Sequence, residues 1–282
     1  MVLSTAPTRH HLAKSTSAIH AAADAAEPRI RRAMLALFES VQANVPNLDA
    51  MIRAGDTDGV WQAVKALSPS TETATALIAA VASAGIRSGM SEAVELKIAF
   101  NQPAKEAIEA AARHAGERIT LISTKNRAVV RGIVEDGIRL GIHPTRTARQ
   151  IEQSITLLPN HSRSVRRLLL SMEDAGLDQA HIDKVVRRKV AKLKRYRAEM
   201  IARSEAIDAS NMGQQTIWDK AMDLDLLPAD AEKRWVATAD ACPICLALEA
   251  EGPVPVRGTF SNGKQGPTAH PFCRCSKVLA PL

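Results

Sequence analysis

The sequence predicts a mainly α-helical protein: a multi-helix body followed by a small C-terminal Cys/His module with little regular structure beyond short strands. Three observations predict this. Hydrophobic residues make up 46% of the 282 positions, yet there are only three Trp, one Tyr and four Phe. The core must therefore be built from Ala, Leu, Ile and Val, which favours packed helices over a β-sandwich. Apolar residues recur at helical spacing up to about residue 227. All four cysteines fall between 242 and 275, in a segment where prolines such as Pro253, Pro255, Pro267 and Pro271 break regular structure.

Residues 1–17 lack the apolar core of a secretory signal and are expected to be a flexible arm. From Ala18 to Ala43 the spacing of Ile30, Met34, Leu37, Phe38 and Val41 marks one face of a helix, stopped by Pro46. Short helices punctuated by Gly55, Gly59 and Pro69 follow, then an Ala-rich helix over 71–84. Gly85 and Gly89 are expected to break the N-terminal helical region (18–95) from a helical core (96–227). In that core Pro103 can open a helix running to about Ile122. A second helix spans Asn126 to Leu140, with Gly141 as its cap and Pro144 preventing its continuation. A short helix starts at Thr145 or Thr147, and Pro159 opens another that ends near Gly176.

Ile182 to Met200 is the most amphipathic stretch. Ile182, Val185, Val186, Val190, Leu193, Tyr196 and Met200 fall within about 140° of the helix circumference. Lys184, Arg187, Arg188, Lys194 and Arg195 lie opposite. With a net charge of +7, this face is the candidate for non-specific nucleic-acid contact, because phosphate neutralisation releases counterions. The alternative is a solvated face, or one paired with a neighbour's carboxylates. The longest apolar run, Ala76 to Ile86, is too short to span a bilayer, so no membrane partner is expected.

Residues 228–282 form the Cys/His module. Cys242-x-x-Cys245 and His270-x-x-Cys273 each present two soft donors to one point, and Cys275 is a fifth candidate for four places. Four of Cys242, Cys245, His270, Cys273 and Cys275 are expected to hold a structural zinc, which would supply much of the folding energy of a proline-rich segment with a thin core. Two disulfides, or unpaired buried thiols, are the alternatives. A strand over 233–238 is expected to lead into the first pair, with 275–279 as its return. The zinc-deaminase arrangement is missing because no His-x-Glu is present, and neither a Walker loop, a dinucleotide fingerprint nor His-Glu-x-x-His occurs. Arg203 and Glu205, two apart and so on different sides of a helix, are expected to anchor the junction with the module.

The series Ile201-Ala-Arg203-Ser204-Glu205, Asn211-x-Gly213, Trp235, Asp240-x-Cys242-x-x-Cys245 and His270-Pro-x-Cys273-Arg-Cys275 resembles the phage head morphogenesis family, the Mu F-like minor head proteins. Phe100-Asn101 and Thr147-Ala148-Arg149-x-Ile151 extend the resemblance over about 96–280. The family's usual Thr between the Arg and Glu is Ser204 here, which keeps the hydroxyl, and the first 95 residues carry no resemblance. The resemblance implies a non-enzymatic minor capsid protein made in the bacterial host cytoplasm and located in the phage head. It implies prohead assembly at the portal vertex, with the portal protein and other capsid or scaffold proteins as partners, and contact with packaged DNA in some members. The alternatives are a zinc-stapled DNA-binding protein, or a phage-borne nuclease or toxin with an unrecognised site.

Overall fold

The computed structural model describes residues 9–45, 48–54, 56–96, 124–126, 128–137 and 142–280. In chain order the elements are α1 (Arg9–Ala43), α2 (Leu48–Arg53), α3 (Thr57–Lys65), α4 (Thr71–Glu95), a helical stretch over 128–137, α5 (Pro144–Ser154), α6 (Pro159–Asp174) and α7 (Gln179–Asp223). The module follows with β1 (Glu232–Val236), α8 (Pro243–Ala250), β2 (Val254–Pro255) and β3 (Ser276–Leu279). The protein is mainly helical, with one small sheet among the described residues, as the composition predicts.

The chain forms two compact units. One comprises Met1–Arg32, Ala76–Ala115 and Glu199–Leu282, and the other Ala33–Thr75 and Gly116–Ala198. This division interleaves along the chain, unlike the sequential one (1–17, 18–95, 96–227, 228–282). Residues 9–17 belong to α1 rather than to a loose arm. Gly85 and Gly89 lie inside the continuous α4 instead of breaking it. The helix expected after Pro103 and the cap at Gly141 lie outside the described residues.

In the unit built around 33–75 and 116–198, Asp56 and Ser70 cap α3 and α4. The Gly59 N–H donates to Asp56 Oδ1 at 2.7 Å, and the Thr73 N–H to Ser70 Oγ at 3.3 Å. Leu48, Val60, Val130, Ile133, Ile151 and Ile155 form one apolar cluster there. Leu157, Val165 and Met172 pack with Ile182, Val186 and Val190 of α7 in another. Pro159 is the first residue of α6, where its missing N–H costs nothing. Beyond that helix, Gly176 takes a left-handed φ of 68°, and the Leu177 N–H returns to the Met172 carbonyl.

In the other unit α4 and α7 cross backbone to backbone. A Cβ built on Gly213 would stand 2.0 Å from the Gly85 carbonyl oxygen, and one on Gly89 would stand 3.1 Å from the Gly213 oxygen. The glycines that read as a break are there to let two helices touch. Beside the crossing, Glu92 is buried, and each of its oxygens has a donor: Trp218 Nε1 at 2.7 Å on Oε1, Ser15 Oγ at 3.1 Å and Gln214 Nε2 at 3.3 Å on Oε2. This satisfies the carboxyl that the helix pair takes out of water.

The sheet has the order β2-β1-β3, antiparallel throughout. Trp235 lies opposite Lys277, and Lys233 opposite Leu279, so Lys233, Trp235 and Lys277 share the buried face. The strand expected at 233–238 and its return at 275–279 are β1 and β3.

Candidate metal centre

Strand β1 delivers the chain to Cys242, the N-cap residue of α8, and Pro243 occupies the helix's first turn. The free N–H groups of that turn favour a thiolate. The backbone N–H of Cys245 is the main influence holding the Cys242 thiol below its ordinary value. Cys245 lies in the first turn of α8, and Cys273 and Cys275 sit just before and at the approach to β3. His270 Nε2 stands 3.1 Å from Cys242 Sγ and 3.3 Å from Cys245 Sγ, and Cys245 Sγ is 3.7 Å from Cys273 Sγ.

The sulfur–sulfur separation matches the edge of a tetrahedral zinc site, about 3.8 Å, and the two sulfur–nitrogen separations are somewhat shorter than its edge of about 3.6 Å. The donors form two groups whose members all lie within 4.8 Å of one another: Cys242, Cys245 and His270, and Cys245, Cys273 and Cys275. Cys245 joins the two. His270 Nδ1 lies 2.8 Å from the Pro271 carbonyl. A proton on Nδ1 bonded to that oxygen leaves the Nε2 lone pair directed at the sulfurs, as a metal-ligating imidazole requires. All five predicted candidates are therefore brought together, and the four cysteines carry free thiols. Each of the two groups could hold a metal ion, and Cys245 belongs to both.

The sulfurs of Cys245, Cys273 and Cys275 are crowded together and buried. Burial pushes the Cys245 thiol up to about 12. The adjoining Cys275 sulfur and burial raise Cys273 as well, while the contact with Cys273 draws Cys275 down to about 5. Burial thus disfavours charge on Cys245 and Cys273, and a bound divalent ion would favour their thiolates.

The surrounding shell is built from the other motif residues. Trp235 is fully buried against Cys245, Cys273 and Cys275, with Phe260 edge-on at 5.2 Å. Ser204 of α7 accepts the Phe272 N–H at 3.1 Å, where Phe272 holds a left-handed φ of 62° between the ligand candidates His270 and Cys273. The Arg203 guanidinium lies 5.8 Å from the Phe272 ring centre and pairs with Glu27 Oε2 at 3.4 Å. Asp240, held below the usual carboxylate range first by its hydrogen bond with Thr238, forms an exposed ion pair with Arg274. Glu205 is buried in α7, on a different side from Arg203. Arg203 and Ser204 thus tie α7 to the module through Phe272, where the expected pair was Arg203 and Glu205.

Two anchors escape sequence reasoning. Asp208 Oδ1 accepts the Thr268 N–H at 3.3 Å, and His20 Nε2 lies 2.9 Å from the Arg274 carbonyl oxygen. For Asp208 the available signal was its place one helical turn beyond Ser204. His20 has none, because it sits in a segment remote from every motif.

Of the candidate nucleic-acid residues, Lys184, Arg187, Arg188 and Arg195 are exposed along α7. Lys194 is half-buried, donates to Gln42 Oε1 and is lowered by that burial, so it departs from the solvated face. Tyr196, expected on the apolar face, is 47% exposed and lies edge-on to His161. Among the described residues no helix is long and apolar enough to cross a membrane. No family model, curated protein or solved structure matches this chain.

Proposed function

We propose that this chain is a minor head protein of a tailed phage, acting in prohead assembly at the portal vertex. One observation carries the reading. Residues that form the head-morphogenesis pattern lie far apart in sequence, yet they meet in one module. Ser204 bonds the Phe272 backbone, Arg203 faces the Phe272 ring, Trp235 packs on the cysteines, and Asp240 pairs with Arg274. Such convergence is what a pattern preserved for a common architecture would produce.

On this reading zinc closes its coordination shell with Cys and His donors and contributes folding energy rather than chemistry. Cys242, Cys245 and His270 would hold the ion together with Cys273 or Cys275. Ser204 and Asp208 orient the second ligand segment through its backbone N–H groups. The protein's role is assembly, not turnover. The exposed Lys184, Arg187, Arg188 and Arg195 supply non-specific contact with packaged DNA.

The test is coexpression with the portal protein of the same genome. The account expects the chain to copurify with the portal oligomer, and the Cys242→Ser variant to lose that association. A portal oligomer that assembles without retaining the wild-type chain would refute the assignment.

A further inference from the structure

We infer that the cleft between α1 and α7 in the unit of residues 33–75 and 116–198 is a docking groove for an acidic amphipathic helix of a partner protein. The cleft has a volume of about 440 Å³. Its walls are two helical rows. On α1 they are Leu35, Phe38, Glu39 and Gln42, spaced i, i+3, i+4, i+7. On α7 the row Arg187, Ala191, Lys194 has the spacing i, i+4, i+7, with Val190 and Arg195 flanking it.

The floor is apolar and the rim is cationic. Leu35, Phe38, Val190 and Ala191 supply the floor, and Arg187, Lys194 and Arg195 rise above it. That combination suits a helix with apolar residues on one face and carboxylates beside them, and the volume has room for a few anchoring side chains. Phosphodiester is the poorer match. It has nothing to place on an apolar floor. The remaining cations, Lys184 and Arg188, lie outside the groove on the solvated side of α7.

The groove is held in shape from beneath. Arg197, buried and with its guanidinium 5.1 Å from the Phe38 ring centre, donates to the Thr156 carbonyl and to Asn126 Oδ1. Gln42 is fixed at both ends: its Nε2 donates to the Glu152 carbonyl at 2.6 Å, and its Oε1 accepts from Lys194. A floor and rim ordered before binding lose little entropy when a partner arrives. The burial that lowers Lys194 would be offset by a partner carboxylate.

The inference stands on the cleft alone and does not depend on the assembly role. The experiment is fluorescence anisotropy with labelled peptides of about 18 residues, long enough for several helical turns. Their apolar face is Leu, Ile or Phe and their polar face is Glu, with Lys-for-Glu peptides as controls and a duplex of about 20 base pairs as the nucleic-acid probe. At least one acidic peptide should bind saturably. Ala191→Trp, which fills the groove from an exposed position, and Arg187→Glu should each weaken binding at least about tenfold. Lys184→Glu, outside the groove, should leave it unchanged. Circular dichroism checks the fold of each variant. The inference fails if no acidic peptide binds more tightly than its Lys control, or if both groove variants bind as wild type. It fails equally if the groove variants lose DNA binding while no acidic peptide binds, which would make the cleft a phosphate site.

Discussion

Replacing Gly213 by Ala tests the helix crossing in the unit that carries the Cys/His donors. The added methyl would stand 2.0 Å from the Gly85 carbonyl oxygen, 2.6 Å from its carbon and 2.9 Å from its Cα. All three are backbone atoms, so no rotamer change relieves the clash, and α4 and α7 must separate by about 1 Å. A gap of that size forfeits a quarter to a half of each dispersion contact along the interface. Overpacking of this kind costs about 1–3 kcal/mol, and weakening the Trp218–Glu92 hydrogen bond adds about 1 kcal/mol. The better helix propensity of Ala returns up to about 1 kcal/mol. The net loss should be about 1–4 kcal/mol, read as a lower urea midpoint by circular dichroism and tryptophan fluorescence. Gly132→Ala is the internal control. It lies in the helical stretch 128–137 and a Cβ there meets nothing within 4 Å, so it should gain up to about 1 kcal/mol. If Gly213→Ala unfolds at the wild-type midpoint, the backbone-to-backbone crossing is not what holds these helices.

Ser204→Ala removes an acceptor of the Phe272 N–H and should destabilise the module by about 1–2 kcal/mol, while Ser204→Thr should be neutral; chelator-driven zinc loss measures both. Arg203 is 32% exposed in its pair with Glu27, so Arg203→Ala should cost only about 1 kcal/mol in a thermal melt. Lys233 is fully buried, and burial lowers it from 10.5 to about 8, with Lys277 lowered in the same sense. The unfolded chain then binds more protons between those values, so Lys233 should make stability rise by up to about 3 kcal/mol from pH 8 to 10.5, and Lys277 should add to the rise in the same direction. Lys233→Met should reduce that rise in urea titrations at stepped pH. Gln215 still accepts from Lys277 and donates to Val256, so the variant should be no less stable than wild type at pH 7. Changing Lys184, Arg187, Arg188, Lys194 and Arg195 together to Gln should flatten the salt dependence of any DNA affinity, measured by anisotropy across a salt series.

The legible parts of this structure are those where a single local rule decides. Pro159 and Gly176 bound α6 because missing N–H groups and left-handed φ are properties of one residue. Cys242-x-x-Cys245 and His270-x-x-Cys273 converge because ligand spacing is short-range chemistry. The illegible parts are set by partners remote in sequence. Arg197, Lys233 and Lys277 look like surface charges, yet they are buried because distant backbone carbonyls and the side chain of Gln215 receive their protons. Gly85 and Gly89 have the composition of a break and the function of a contact, a difference that appears only once Gly213 faces them. Tyr196 follows the helical period of its apolar neighbours but stays exposed, because its phenol tip favours water and its ring finds His161.

The central claim is that the Cys/His donors hold a structural zinc, and a joint count of metal and thiols tests it most directly. Protein purified without added metal is analysed for zinc by elemental analysis, and its free thiols are titrated after denaturation in chelator. The account predicts about one zinc per chain and four titratable thiols, with Cys242→Ser losing the metal while the helical signal in circular dichroism persists. Metal-free protein with two intact disulfides would contradict it.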